Sequence, residues 1–187
     1  MVCLIFISKE KYGDRIARHN LLRDVLYEAA ASADLGPSKE EPHLIPGTAA
    51  RPGDILIRRW CDGKDAALDV TVTSPLAPTN VTVAAREAGR ALTKAFERKM
   101  RDTAEACRTQ GLTFLPVALE TLGGLHSTAV GQVKKLGAAL ARKKGCDDRE
   151  PTGQLFSRLS VTLMRGNALM LSSRTPDVIP ADVDGAE

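Results

Sequence analysis

Apolar positions recur along this chain in two periods. Between Asp14 and Ala33, the residues Leu22, Val25, Leu26, Ala29 and Ala33 fall on one stripe, which predicts an amphipathic helix capped by Asp14. Gly36–Gly53, rich in Pro, Gly and Glu, reads as a loop in which His43-Leu44-Ile45 is a candidate short strand. Strand-like runs follow near Asp54–Trp60 and Ala66–Thr73, with the polar stretch Arg58–Asp65 around Gly63 as a hairpin connection. Pro75 and Pro78 stop the second run. A long helix is expected over Val83–Thr109, ending at Gly111, then an apolar strand over Leu112–Leu119 closed by Gly123-Gly124. Leu125, Ala129, Val133, Leu136 and Leu140 mark another amphipathic helix, and Leu155, Leu159 and Leu163 a last one. Such an order predicts an α/β or α+β sheet with helices packed against it.

At 187 residues the chain suffices for one domain with a sizeable core. An aromatic share of 4% argues against a platform on which bases stack. The net charge of +3 says little, but its distribution is uneven. Lys134, Lys135, Arg142, Lys143 and Lys144 form a basic cluster, readable as a solvated helix end or as a phosphate-facing patch. Cys3, Cys61, Cys107 and Cys146 are scattered, which gives no support to a zinc site or a disulfide framework. Val2–Ile7 is too short for a signal peptide or a membrane span, so a reduced, intracellular setting without a membrane is the expectation.

Candidate chemistry centres on two acids in the paired strand-like runs. Side chains alternate across a strand, so Leu68, Val70 and Val72 share one face while Asp69, Thr71 and Thr73 share the other. An Asp within a β-branched run is costly if buried unpaired; it either faces water or belongs to a site. Asp54, in Pro52-Gly53-Asp54, is equally readable as turn chemistry. A symmetric hairpin would set Asp54 opposite Val72, leaving Asp69 ~10 Å along the strand. Convergence therefore requires a bulge, a stagger or a bend near Gly53. Two converging carboxylates would suit Mg²⁺, which takes oxygen ligands and completes its shell with water and phosphate.

The long helix offers a third group. Ala88, Leu92, Ala95, Phe96, Met100, Thr103 and Cys107 form its apolar sector, and Lys99 projects near the middle of it. A lysine there snorkels, pairs with Asp102 three residues on, or points over the sheet toward Asp54 and Asp69. In the last case it would orient an attacking water and balance phosphate charge. Glu120, at the end of the last strand, has two readings: a third acidic ligand, or a cap for the turn that follows. Arg15 and His19 extend the inner stripe of the first helix, Arg15 as a phosphate contact and His19 as a satisfied core residue.

From about Gly13 to Met170 the chain resembles the PD-(D/E)XK, or restriction-endonuclease-like, superfamily. It is most similar to the C-terminal endonuclease domain of non-LTR retrotransposon polyproteins. The resemblance is carried by Gly13–Asn20, Arg51-Pro52-Gly53-Asp54, Leu68–Val72, Glu97-Arg98-Lys99 and Phe114–Gly124. It implies a restriction-endonuclease-like α/β core, a mixed central sheet flanked by helices, with extra C-terminal helices. Residues 13–172 would form a single nuclease-like domain, between an unrelated or disordered leader (1–12) and an acidic disordered tail (173–187). The implied activity is Mg²⁺-dependent nicking of target DNA, in the nucleus, by a fragment detached from an element that also encodes a reverse transcriptase. Asp54 and Asp69 would bind metal, with Glu120 a helper, and Lys99 would be the catalytic lysine. Arg15 and the Lys134–Lys144 cluster would grip DNA. The alternative is a non-catalytic nucleic-acid-binding remnant of the same fold. Two departures from the family pattern stand out: Gly53 separates the usual Pro-Asp, and Thr71 occupies the usual place of the lysine.

Overall fold

The computed structural model describes residues 12–48 and 51–173. The leader and tail expected at the two ends lie outside them, apart from their innermost residues. Helix α1 spans Tyr12–Ser32. Asp14 lies inside its first turn rather than at its cap, while Leu22, Val25, Leu26, Ala29 and Ala33 are all buried. The short strand β1 forms at Ser38–Lys39 and not at His43-Leu44-Ile45, where the chain turns instead. His43 is in the left-handed region at φ 61°, outside the extended conformation of a regular strand.

Strands β2 (Ile55–Cys61) and β3 (Lys64–Thr73) form an antiparallel hairpin. The connection is tighter than the polar stretch implies. Asp62 (φ 51°) and Gly63 (φ 76°) make the whole turn, the Asp-Gly pairing that a two-residue hairpin favours. Beyond Thr73 the chain crosses over through α2 (Val81–Arg86) and α3 (Arg90–Thr109). The single helix expected over Val83–Thr109 is thus two. Glu87 is extended and Gly89 adopts φ 77°, a left-handed conformation that interrupts the helix and leaves Ala88 exposed rather than in the apolar sector. Strand β4 (Thr113–Glu120) then pairs with β3 in parallel, as a helical crossover allows. The result is a four-stranded mixed sheet in the order β1-β2-β3-β4.

Helices α4 (Ser127–Lys144) and α5 (Arg149–Ser172) follow. They join α1 over one face of the sheet. There Leu22, Leu26, Ile57, Leu68, Val117, Leu136, Leu159 and Leu163 form the main core. The other face is covered by α3, where Cys107, Met100 and Ala104 pack against Ala67 and Phe114. Both faces of β3 are therefore buried, and Asp69, two residues from Ala67, lies under α3.

Helices α4 and α5 cross closely at Gly137. A Cβ there would lie 2.1 Å from Thr152 Oγ1 and 2.7 Å from Thr152 Cα. Gly137→Ala is expected to push the helices apart and cost about 1–3 kcal/mol, read as a lower urea midpoint at unchanged slope.

Candidate functional site

The β2–β3 register decides where the acids lie. At the turn, Cys61 faces Lys64; further on, Ile57 faces Ala66 and Ile55 faces Leu68. Arg58, Arg59 and Trp60 on β2 thus oppose Asp65 alone on β3, a bulge of two residues. Arg59 sits there at φ 50°. The carboxylate of Asp65 pins the bulge, accepting from Arg59 N at 2.9 Å and from Arg58 Nη1 at 2.8 Å. The first of these, more than the second, holds its pKa below the usual value. Without the bulge, the register at the turn would carry Asp54 to Thr71. With it, continuing the Ile55–Leu68 pairing by one residue brings Asp54 level with Asp69. The separation of three residues expected for a symmetric hairpin is removed.

Gly53 completes the placement. A Cβ on it would lie 2.9 Å from Leu68 O and 3.0 Å from Ala67 Cβ, so only glycine lets the chain approach β3 this closely. Asp54 N then donates to Leu68 O at 2.8 Å. The Asp54 carboxylate turns to β3, accepting from Val70 N at 2.6 Å and facing His19 Nε2 at 3.0 Å, both on Oδ2.

Asp69 is paired differently. Lys99 Nζ straddles its carboxylate, 3.0 Å from Oδ1 and 2.9 Å from Oδ2, and Thr71 Oγ1 donates to Oδ2 at 3.2 Å. Lys99 therefore reaches across from α3 to β3; Asp102 pairs with Arg101 instead. Burial pushes the Asp69 carboxyl above its ordinary value, the ammonium of Lys99 opposes that shift, and the charge of Asp54 adds to it. The charge of Asp54 acts on Asp69, and both acids act on His19, which makes the three one electrostatic unit.

His19, read from the sequence as a core residue, is half-buried and belongs to this cluster. Its pKa is raised, chiefly by the hydrogen bond to Asp54 and against the opposing effect of burial. Its spacing of four residues from Arg15 on the inner stripe of α1 was the available signal. A raised histidine pKa stabilises the fold fully below the ordinary value of 6.5, and the benefit fades as pH rises through the folded value. The stability advantage of the wild type over His19→Phe is accordingly expected to be larger at pH 5.5 than at pH 8.5; urea titrations at the two pH values check it.

Beside the cluster opens a cleft of about 540 Å³, whose wall includes His19, Thr71, Lys99, Arg15, Arg18 and Arg98. Arg18 is 3% exposed and donates to Asn167 Oδ1 at 2.9 Å; Asn167 in turn donates to Thr121 O. Gly166 makes room for this arginine, since a Cβ there would lie 2.7 Å from Arg18 Cγ.

Two groups of expected residues lie elsewhere. Glu120 pairs in register with Thr73, whereas Asp69 pairs with Pro116, so Glu120 starts four residues, ~13 Å, along the sheet from Asp69. Its carboxylate lies against Gly124 in the turn after β4, not against the two acids. The basic cluster of α4 is also remote. Lys143 pairs with Asp34, just past the C-terminal end of α1, while His19 sits thirteen residues, ~20 Å, back from Ser32 along that helix. Arg142 and Lys144 share the last turn of α4, and Lys134 and Lys135 are exposed on the same helix. None of the five lines the cleft.

No protein-family model matches the chain, and a search of curated proteins finds no match. Among the described residues no helix is long and apolar enough to cross a membrane, and no three His, Cys, Asp or Glu side chains converge as a metal site would require. Asp54 and Asp69, level in the hairpin register, supply oxygen donors of the kind Mg²⁺ takes, since that ion is commonly held by one or two acids with water and substrate phosphate supplying the rest.

Proposed function

We propose that this chain is a Mg²⁺-dependent DNA endonuclease of the PD-(D/E)XK type that nicks its target by phosphodiester hydrolysis. The observation that carries this reading is Lys99, in the wall of a cationic cleft, paired to Asp69, with Asp54 level with Asp69 in the hairpin register. Helix, antiparallel hairpin, crossover helix and parallel strand, in that order, support a restriction-endonuclease-like core. Thr71, in the place of the family's usual lysine, hydrogen-bonds Asp69, while an ammonium reaches the same carboxylate from α3.

In this reading Asp54 and Asp69 would hold the ion, which when bound would acidify a water and offset phosphate charge. Val70 N and His19 fix the orientation of Asp54, leaving its second oxygen outside those two bonds. Lys99 sits where an ammonium can leave Asp69 for an anionic substrate and stabilise charge building on the phosphate. The natural partners would be nuclear DNA and the reverse transcriptase of a parent element.

The test is relaxation of supercoiled plasmid by the purified chain. Nicked circles in Mg²⁺ and none in EDTA are expected; cleavage that persists in EDTA would refute the proposal. The rival reading, a remnant that binds nucleic acid without cutting it, is favoured by the ion pair that closes Lys99 onto Asp69. It predicts binding with no nicking in any divalent metal.

A further inference from the structure

We propose that the cleft beside Asp69 and the cleft next to it form one track for the sugar-phosphate backbone of a DNA strand, with Arg98 gripping a phosphate at its waist. The inference rests on the nucleic-acid reading above and moves the DNA-binding surface from α4 to α3. The second cleft, of about 400 Å³, shares Thr73, Thr79, Asn80 and Arg98 with the first. Their common floor is fixed, because Asn80 Nδ2 donates both to Thr73 Oγ1 at 3.2 Å and to Ser74 O at 2.9 Å.

The lining chemistry selects the ligand. The first cleft is walled by several cations and by no carboxylate, and the second adds Lys94 and Arg101 against the single acid Glu97. Neither has a Phe, Tyr or Trp in its wall, and the one ring there, His19, is held by Asp54, so bases find no stacking platform. Cations with hydroxyl and amide groups and no such platform suit phosphate oxygens, which position a strand without reading its sequence.

Arg98 stands out within this set. Lys99 is committed to Asp69, Arg101 lies 3.6 Å from Asp102, and Lys94 Nζ donates to Thr79 O. Arg98 is exposed and makes no ion pair or hydrogen bond among the described residues. Lys94, Arg98 and Arg101 are spaced i, i+4, i+7 along α3, so their side chains follow one line on the helix surface. All three line the second cleft, and Arg98, in the middle, also lines the first.

Fluorescence anisotropy with a labelled mixed-sequence duplex, in EDTA so that no cleavage occurs, tests the track. Arg98→Ala is expected to bind more weakly and to lower the slope of log K against log[salt] by about 0.9, the loss of one phosphate contact. The advantage of the wild type over Arg98→Ala should then shrink about 3.5-fold between about 50 and 200 mM salt. Arg98→Lys should restore most of the slope, and Lys134→Ala/Lys135→Ala should leave it unchanged. The track is overturned if the full chain shows no binding, if Arg98→Ala keeps the wild-type slope, or if the α4 variant loses it instead. Nicking that survives an inert Arg98 would sink the track alone. Arg98-dependent binding without nicking in Mg²⁺ would sink the nuclease alone.

Discussion

Asp69→Asn is expected to lower Mg²⁺-dependent nicking by about 10²–10³-fold or more while leaving the chain folded and at least as stable as the wild type at neutral pH. The two halves of this result have one cause. Burial is the largest influence on Asp69 and disfavours its charge; the charge of Asp54 adds to that. A carboxyl with a raised pKa in the fold favours the native state while neutral, and that contribution is lost as pH rises through the folded value. At pH 7 the wild type therefore bears the cost of a desolvated anion, and an isosteric amide removes it. Lys99 is not stranded by the change, since its side chain is 31% exposed and can turn toward water. Activity lost with stability kept would identify Asp69 as a residue retained for chemistry. Nicking at the wild-type rate by Asp69→Asn would remove the proposed role.

How much of this was legible in the sequence differs element by element. The stripe Leu22–Ala33, the leucines of α5 and the apolar run of β4 each satisfy one period cleanly, and each forms the expected element with those residues buried. Gly89 leaves no trace in the pattern because Ala88 continues the helical period; the break depends on a backbone angle that composition does not reveal. Lys99 was readable because a cation in an apolar sector demands an anion, and Asp69 lies across from it. The alignment of Asp54 with Asp69 was not readable. It depends on a bulge at Arg58–Trp60, and the signal there is the side chain of Asp65 bonding to Arg59 N, a short polar contact that resembles ordinary hairpin chemistry. Glu120, at a strand end, is readable as a ligand or as a turn cap, and the α4 cations are readable by charge. Position along a strand or helix, which charge does not encode, separates them from the cleft.

Lys99→Met carries the second large effect, and its sign depends on pH. The ammonium is the principal influence lowering the Asp69 pKa against burial, so its removal drives that pKa further up. Near pH 3.5 the Asp69 carboxyl is mostly neutral in both states, and the variant should lose little stability. As pH rises through the folded value, the native state must either hold an unpaired buried carboxylate or keep its proton. The deficit therefore opens with pH, reaching about 1–3 kcal/mol at pH 7, less than a fully buried pair because Lys99 is partly exposed. Asp69→Asn in the Lys99→Met background removes the orphaned charge and should recover most of that loss, a coupling that a double-mutant cycle measures directly. Urea titrations of the four proteins at both pH values check it. A deficit that is flat with pH, or a double variant no more stable than Lys99→Met, would mean that Lys99 contributes through the packing of its methylene stem on α3 rather than through its charge. In plasmid relaxation the single Lys99 variant should lose nicking without losing the duplex binding that Arg98 governs, because charge stabilisation at the reacting phosphate and grip on the flanking backbone belong to different residues of the same helix.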